Sequence, residues 1–175
     1  MKKLLVPMLI FLLLAAGQAI ALKHGGKKMI ITSPAFHDQQ FIPVKYSAFG
    51  EGINPPLKFE NVPAKTKSLV LIVEDPDAPI GIFDHWLVFN LPPSEQEIGE
   101  NSQPAHALAG KNTIGSLVYL PPRPPAGKAH RYVFTLYALD IVLPLKAGAD
   151  KAEIEKAMSG HRLVKASLTG LFKRK

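Results

Sequence analysis

The sequence predicts a mainly β domain that ends in two α-helices. Short apolar runs recur along most of the chain between Gly, Pro, Asn and Asp, which is the pattern of strands joined by turns. No helical period occurs before the last quarter of the chain. Within that last quarter, two amphipathic helical patterns follow each other. Together these observations favour a sheet-based core with helices packed on it.

The first strands are predicted from short apolar segments near the start of the domain. Residues 29–32 form the first candidate and are followed by a turn at Ser33-Pro34. Residues 41–49 alternate loosely, and Pro43 indicates an edge strand because proline cannot donate a ladder hydrogen bond. Residues 57–59 begin a further short strand that ends before Pro63.

Two buried strands flank a stiff acidic loop. The apolar run 69–73 and the run 86–89 both have the character of core strands. Between them lies Asp75-Pro76-Asp77-Ala78-Pro79, in which each proline fixes its own φ and restricts the residue before it. We therefore expect a rigid loop between two neighbouring strands.

The second half of the chain contains long loops and one further core strand. Residues 94–115 are polar and lack a period, and loops of this length often carry function. The proline-dense residues 120–127 cannot be strand interior because proline lacks the backbone donor. Residues 133–139 are rich in aromatic and β-branched side chains and predict a central strand.

Both predicted helices lie after residue 149. Asp150 followed by Glu153 resembles a capping box, and Gly160 is placed to end the first helix. Apolar residues of that helix fall on one face, namely Ile154, Ala157 and Met158. Apolar residues of the second helix repeat at i, i+4, i+7 and i+8, namely Val164, Leu168, Leu171 and Phe172.

The amino terminus predicts a secretory signal peptide over residues 1–21. Lys2 and Lys3 precede an apolar run, and Ala19-Ile20-Ala21 supplies small residues for cleavage. A membrane anchor is the alternative, but the run is short of the roughly 20 residues that span a bilayer. We therefore expect residues 22–175 to form a single domain that is periplasmic or secreted.

Composition excludes several function classes. The chain has no cysteine, so disulfides, zinc–thiolate sites and cysteine nucleophiles are ruled out. The net charge is +7, but the basic residues are spread and do not form a basic face interleaved with aromatics. We expect no nucleic-acid partner, and membrane contact at most through weak attraction to anionic headgroups.

Candidate site residues lie where loops meet strands. Asp75 and Asp77 precede one strand, while His85 and His130 each stand at the start of a strand. In an alternative interpretation, one of the two carboxylates caps turn amides and only the other faces a ligand. If the strands are neighbours, these side chains form one polar site that Trp86, Tyr119 and Tyr132 could wall. Such a site suits phosphate-like anions.

The sequence contains no motif of an established enzyme class. It lacks a G-x-S-x-G elbow, an H-E-x-x-H motif and a Gly-rich phosphate loop. We expect no catalytic residues, no bound metal and no cofactor. The competing hypothesis is a hydrolase in which His85 or His130 acts as general base and an Asp orients it or holds a metal.

The motifs of the chain resemble those of the phosphatidylethanolamine-binding proteins, in particular the bacterial Raf-kinase-inhibitor-like branch. Residues 75–79 with His85-Trp86 resemble the first motif of that family, and residues 124–134 resemble the second. The similarity extends in order along the mature chain through smaller pieces, namely Ser33-Pro34-Ala35-Phe36, Ile42-Pro43, Pro55-Pro56-Leu57 and Tyr137-Ala138-Leu139-Asp140.

This resemblance implies a β-sandwich of two antiparallel sheets with carboxyl-terminal helices and an anion pocket at one end. Family ligands are phosphoryl headgroups and small anions such as phosphate or acetate. The chain departs from the family pattern at residues 119–123, where Arg123 could add a cation to the pocket rim. Carried over to this sequence, the ligand-binding residues are Asp75, Asp77, Pro79, His85, Pro125, His130 and Tyr132, with Trp86 adjacent.

The resemblance also implies partners. Relatives are held to modulate or inhibit a partner kinase or protease, and bacterial relatives tend to be dimers. Export makes a cytosolic kinase an improbable partner for this chain, and the sequence names no other protein. We expect a non-enzymatic, exported protein that binds a small anion or phosphorylated headgroup.

Overall fold

The computed structural model describes residues 27–174, which form two β-sheets, one α-helix and one short 3₁₀ helix. The predicted signal peptide, residues 1–21, lies outside the described residues. The elements in chain order are β1 (Ile30–Thr32), β2 (Gln40–Phe41), the 3₁₀ helix (Val44–Tyr46), β3 (Leu57–Glu60), β4 (Ser68–Asp75), β5 (Phe83–Leu91), β6 (Glu97–Ile98), β7 (Leu108–Ala109), β8 (His130–Leu139), α1 (Lys151–Ala157) and β9 (Arg162–Phe172).

The larger sheet has the strand order β2-β9-β8-β4-β5-β7, and the smaller sheet has the order β1-β3-β6. The prediction of antiparallel sheets holds for every pair except one, because β2 pairs parallel to β9. A hairpin forces two strands to be antiparallel, whereas β2 and β9 are far apart in the chain and are free of that constraint.

Strand β4 is apolar from Leu69 to Val73 because both of its faces are covered there. Leu69, Leu71 and Val73 lie in the core between the two sheets. Val70 and Ile72 lie in a second core with Leu143, Ile154 and Met158 on the opposite side of the larger sheet. Burial of each such side chain stabilises the fold by about 1.5–3 kcal/mol. The predicted strands 69–73, 86–89 and 133–139 are confirmed as β4, β5 and β8, with β4 and β8 adjacent in the middle of the sheet.

The first predicted helix is confirmed as α1. The Asp150 carboxylate accepts a hydrogen bond from Glu153 N, and the Glu153 carboxylate accepts one from Asp150 N, so the capping box is complete. Such a cap contributes about 1 kcal/mol. The chain leaves the helix before Gly160, whose φ of +80° suits glycine. Within residues 27–174 no helix has the length and apolarity needed to cross a bilayer.

The second predicted helix is wrong, because its residues form strand β9. Even-numbered side chains from Val164 to Phe172 face the core and odd-numbered ones are more exposed, which is the period of a strand. Two of the inward positions are Ala166 and Gly170, so the apolar alternation is weak in the sequence. Gly170 is small because a Cβ there would lie 2.4 Å from Cγ1 of Ile42.

The predicted edge strand over residues 41–49 is correct only at its start. Strand β2 is at the sheet edge, as Pro43 indicated, but it ends at Phe41. Pro43 then begins a 3₁₀ turn in which Tyr46 N donates to Pro43 O and Ser47 N donates to Val44 O. These local bonds satisfy the backbone without a partner strand.

Candidate functional site

A cavity of about 480 Å³ opens at the edge of the larger sheet where β4 ends and β5 and β8 begin. Because β4 lies between β8 and β5, their terminal residues converge there. The proline-dense residues 120–125 form the facing wall. Six of the residues predicted from the sequence line this cavity, namely Asp75, Pro79, His85, Pro125, His130 and Tyr132.

Asp75 is the last residue of the central strand β4, and its carboxylate is almost fully buried. One oxygen, Oδ1, accepts a hydrogen bond from Asp77 N at 2.8 Å. The other, Oδ2, accepts one from Nδ1 of His130 at 2.8 Å. A buried charge is tolerated only when its oxygens are satisfied in this way.

His130 is the first residue of β8 and is buried beside Asp75. Its Nδ1 carries the proton that is donated to the carboxylate, so Nε2 is the ring nitrogen left to meet a ligand. The carboxylate fixes the orientation of the imidazole ring, so Nε2 faces the cavity. His130 can donate from Nε2 to an anion when that nitrogen also carries a proton.

His85 is held in the same way by a different acceptor. Its Nδ1 donates to the backbone oxygen of Leu120 at 2.8 Å, and Leu120 N donates to His85 O at 3.0 Å. This reciprocal pair attaches the proline-dense wall to β5 and again leaves Nε2 for the cavity. Burial lowers the pKa of His85, against the raising effects of Leu120 O and of the nearby carboxylates Asp75 and Asp84.

A β-bulge in β5 turns His85 toward the cavity. Val73 pairs with Trp86 and Glu74 pairs with Asp84, so His85 is the extra residue. Trp86 lies on the same face as Val73, and Asp84 points to the opposite face. His85 follows Asp84 by one residue and therefore shares the face of Trp86. The bulge thus places two consecutive side chains on one face.

Tyr132 completes the polar end of the cavity. Its ring meets the His85 ring edge-on with centroids 5.1 Å apart. The buried hydroxyl lies near Asp75 and the Arg123 backbone without a hydrogen bond of normal geometry to any residue among 27–174. Burial, reinforced by the negative charge of Asp75, raises the pKa of Tyr132 above its usual range, so the phenol stays a donor.

Asp77 does not line the cavity, and its carboxylate is occupied elsewhere. It accepts hydrogen bonds from Nε, Nη2 and the backbone N of Arg131 at 2.7–2.9 Å. The Arg131 guanidinium lowers the pKa of Asp77 to about 2. In the alternative interpretation, one carboxylate caps a turn amide and only the other faces a ligand. Asp75 does both, because it accepts a hydrogen bond from Asp77 N and also lines the cavity. Asp77 instead ties the acidic loop to β8.

Trp86 also lies outside the cavity lining. It is buried in the core between the sheets and contacts Tyr119 edge-on, with ring centroids 5.6 Å apart. Tyr119 likewise belongs to this core and is absent from the lining. Of the three aromatic residues considered as walls, only Tyr132 reaches the cavity.

Sequence reasoning missed the apolar part of the wall. Phe83, at the start of β5, packs against the His85 ring at 4.9 Å between centroids. Ile80 and Ile114 line the mouth and are among the most exposed apolar residues of the described chain. Their signal in the sequence is a large apolar side chain next to a glycine, Gly81 or Gly115, in a segment predicted to be loop.

Arg123 contributes a cation to the lining, as its place in the segment that departs from the family pattern, residues 119–123, suggested. The segment that carries it is held from two sides, by the Leu120–His85 pair and by a hydrogen bond from Ala48 N to Pro122 O at 3.0 Å. Among residues 27–174, no three His, Cys, Asp or Glu side chains are grouped as ligands for a metal ion.

Comparison with known proteins identifies the family. Residues 32–173 match the family model described as phosphatidylethanolamine-binding protein. A UPF0098 protein of Pyrococcus abyssi is 43% identical over 178 residues, which cover 98% of each chain. A UPF0098 protein of Chlamydia muridarum is 47% identical over 149 residues, which cover 82% of this chain and 98% of that one.

Comparison with solved structures leads to the same fold and family. A Chlamydia trachomatis protein described as a homolog of phosphatidylethanolamine-binding proteins is 45% identical, with a TM-score of 0.81 over 85% of this chain and 99% of that chain. The E. coli protein YbcL has a TM-score of 0.78 over the same shares at 24% identity, which is a likeness of fold alone. The chain therefore belongs to the phosphatidylethanolamine-binding protein family.

Proposed function

We propose that this protein binds a small anion, a phosphoryl or carboxylate group, in the cavity between β4, β5 and β8. The observation that carries the proposal is the matched anchoring of two histidines. His85 and His130 each use Nδ1 for a fixed acceptor at 2.8 Å, which orients the ring and leaves Nε2 toward the cavity. Rings preorganised in this way can donate from Nε2 to an oxyanion, once that nitrogen is protonated, without the cost of ordering the side chains.

The charges of the lining support an anion rather than a cation. Asp75 is negative, but both of its oxygens are already engaged by Asp77 N and His130. His130, Arg123 and the Tyr132 hydroxyl can donate to a ligand. An anion would therefore lie on the imidazole side of the cavity, where charge-assisted hydrogen bonds are the strongest available.

Binding is tested by titration calorimetry of the mature chain with phosphate, phosphorylethanolamine and acetate. We expect saturable binding to at least one of these anions at millimolar concentration or below. The absence of heat and of NMR shifts up to that range, where the binding free energy is only about 4 kcal/mol, would contradict the proposal.

Hydrolysis is the second candidate function, and the Asp75–His130 hydrogen bond favours it. A carboxylate that orients a histidine is the arrangement of a general base. The lining contains no Ser, Thr or Lys side chain and the Asp75 carboxylate is already hydrogen-bonded, which favours a water molecule as the nucleophile. A panel of phosphoester and amide substrates, combined with metal analysis, distinguishes this function from binding. Turnover that both His85→Ala and Asp75→Ala abolish would replace the binding proposal.

We also propose export, with the periplasm or the exterior as the place of action. The support is the sequence of residues 1–21. Amino-terminal sequencing of the protein recovered outside the cytoplasm should begin at Leu22. Recovery of the full-length chain in the cytoplasm would contradict export.

Association with other proteins is the last part of the proposal. A homodimer and the modulation of a partner kinase or protease both derive from the family resemblance. Sedimentation at micromolar concentration tests the dimer, and a purified-kinase and protease panel tests inhibition. Inhibition that disappears with His130→Ala would place the partner's contact at the cavity.

A further inference from the structure

Lys151 of α1 forms ion pairs with two carboxylates on the face of the larger sheet that is opposite to the cavity. Its ammonium group contacts Glu74 of β4 and lies 3.2 Å from Oδ1 of Asp84 of β5. All three side chains are only 17–21% exposed. Oδ1 of Asp84 is buried and has no hydrogen bond of normal geometry within residues 27–174, so the ammonium group compensates its charge.

The two carboxylates lie directly opposite each other in the sheet. Glu74 and Asp84 are partners in the antiparallel ladder of β4 and β5, at the step where the bulge at His85 interrupts the register. Like charges in such a pair repel each other and destabilise the sheet. A cation that contacts both carboxylates offsets this repulsion. Lys151 therefore stabilises the ladder at its irregular step.

The placement of Lys151 in the helix indicates a tertiary role. It is the first residue of α1, where the helix dipole favours a carboxylate over a cation. The capping box of Asp150 and Glu153 fixes this first turn, and the buried side chain of Ile154 packs α1 on the sheet. The helix therefore presents the ammonium group to β4 and β5 from a fixed position.

The residues that follow the two carboxylates in the chain belong to the cavity. Asp75 follows Glu74 in β4 and lines the cavity. His85 follows Asp84 in β5 and also lines it. Successive side chains of a strand point to opposite faces of the sheet. The strand rotation that directs each carboxylate to Lys151 therefore directs the next side chain into the cavity.

The backbone of the bulge is held mainly by loops. Asp84 N donates to Oγ1 of Thr113 at 2.7 Å, and Asp84 O accepts from Thr113 N at 3.1 Å. His85 O accepts from Leu120 N at 3.0 Å. The ion pair of Asp84 with Lys151 connects this segment to the helix, and it also connects it to β4 through Glu74.

We propose that Lys151 is a positioning residue for the anion site. It acts through Glu74 and Asp84 and holds the ends of β4 and β5. In the strand rotation that it maintains, Asp75 and His85 face the cavity. This inference rests on the proposed anion-binding function and adds a residue that lies on the other face of the sheet from the ligand.

The test replaces Lys151 by methionine, which keeps the length of the side chain and removes its charge. The repulsion between Glu74 and Asp84 is then no longer offset, and the bulge should loosen. We expect the affinity of Lys151→Met for sulfate, measured by titration calorimetry, to fall by about threefold to tenfold.

Hydrogen exchange provides a second measurement that needs no ligand. The amides of Thr113 and Leu120 donate to the backbone oxygens of Asp84 and His85. In Lys151→Met these two amides should exchange about tenfold faster relative to the amides of the β4–β8 ladder, because local opening of the bulge exposes them. A general loss of stability would instead accelerate the most protected amides of the ladder as well.

Two control variants separate positioning from charge and from stability. Lys111 lines the same surface depression as Asp84 and Lys151 but forms no ion pair within residues 27–174, so Lys111→Met removes an equal charge without touching the ladder. Ile31→Val removes a buried methylene in the smaller sheet and should lower the Tm. Both variants should keep the sulfate affinity and the relative exchange rates of the two amides.

A double variant covers the case in which Lys151→Met does not fold. Glu74→Gln combined with Lys151→Met removes the like-charge pair and keeps the net charge of the chain. Because the connection through the ammonium group is still lost, this variant should bind sulfate more weakly and show faster exchange at Thr113 and Leu120.

The outcomes separate this inference from the function on which it rests. Sulfate bound with unchanged affinity after loss of Lys151 overturns the positioning role and leaves anion binding in place. Weaker binding without faster exchange at the bulge, or an equal loss in Lys111→Met, also overturns the role, because charge alone would then explain the loss. Failure of the unchanged chain to bind sulfate, phosphate or acetate overturns the proposed function, and the positioning role with it.

Discussion

His130 and Asp75 are joined by a buried hydrogen bond of 2.8 Å between neighbouring strands. A second Asp–His pair, Asp140 and His161, has a hydrogen bond of 2.9 Å but lies exposed at the far end of the same sheet. The exposed Asp140–His161 pair can therefore serve as the control when residues of the buried Asp75–His130 pair are replaced. The two pairs differ in burial and in access to the cavity.

Replacement of His130 should weaken anion binding. We expect His130→Ala to reduce the affinity for phosphate by about tenfold or more, because one charge-assisted hydrogen bond contributes about 1.5–3 kcal/mol. His161→Ala should bind phosphate as the unchanged chain does. Titration calorimetry at one ionic strength measures both, and equal losses in the two variants would remove His130 from the site.

Replacement of Asp75 should destabilise the fold more than replacement of Asp140. In Asp75→Asn, the amide offers one acceptor oxygen where the carboxylate offered two, so either Asp77 N loses its acceptor or the His130 ring must change tautomer to accept from the new NH₂ group. An unsatisfied buried group costs about 1–3 kcal/mol. Asp140→Asn should change the free energy of unfolding by less than about 1 kcal/mol, since exposed pairs contribute little. Urea denaturation compares the two, and equal costs would contradict the buried network.

Anion binding should strengthen as pH falls, through His85. Burial lowers the pKa of this imidazole, so it is neutral at neutral pH, and a bound anion favours its protonated form. We expect sulfate, whose charge is constant over the range, to bind more tightly as pH falls from about 7 to about 5. Both cavity histidines should shift together in NMR spectra when sulfate is added.

The matched variant for this pH dependence is His85→Asn, which keeps a donor for Leu120 O. It should bind sulfate with a weaker dependence on pH. An unchanged dependence would show that His85 takes no proton with the ligand. In the protein without ligand, pH acts on stability, and the direction is opposite. Because the pKa of His85 is lowered in the folded state, its contribution to the free energy of unfolding is complete above about pH 6.5 and is lost as pH falls through the lowered pKa.

The Asp77–Arg131 pair should contribute little to stability and more to the shape of the site. Both side chains are partly exposed, so solvent screens the pair, and Asp77→Asn should cost less than about 1 kcal/mol. The lowered pKa of Asp77 means that its contribution is present above about pH 4 and is lost as pH falls through about 2. Phosphate affinity should fall in the variant because the loop that carries Pro79 is released from β8. An unchanged affinity would show that the loop keeps its conformation without the Asp77–Arg131 salt bridge.

Strand β9 offers a test of the fold. Gly170→Ala places a Cβ within 2.4–2.8 Å of Ile42 and Phe36, and overpacking of this kind costs about 1–3 kcal/mol. Gly99→Ala is the control, because its Cβ would meet Ser102 at an ordinary 3.5 Å. Thermal denaturation should show a lower Tm for Gly170→Ala alone.

The central strands were predictable from the sequence because their chemistry is unambiguous. A continuous run such as that of β4 has to be buried on both sides, and the capping box of α1 is a local signal. Strand β9 was not predictable in this way. Ala166 and Gly170 fit against the residues they face, and that fit depends on tertiary neighbours such as Ile42.

The candidate site likewise contains features that could be predicted from the sequence and features that could not. The motifs around Asp75 and His130 were visible in the sequence because they resemble a family pattern. The roles of Asp77 and Trp86 depend on a salt bridge and on a β-bulge, neither of which has a local signature. Ile114 reaches the mouth through a turn held by Asn112, which only the folded chain brings beside β5.

The position of β9 determines when the larger sheet can be completed during synthesis. The last strand in the chain lies between β8 and β2 in the sheet, so each of these strands needs it as a neighbour. Until residues 162–172 leave the ribosome, β8 has one open edge and β2 has no partner. The sheet therefore depends on pairings between the two ends of the chain, which form slowly. Completion of the larger sheet is therefore limited by a contact between residues far apart in sequence, Gln40 and Gly170, and not by its local hairpins.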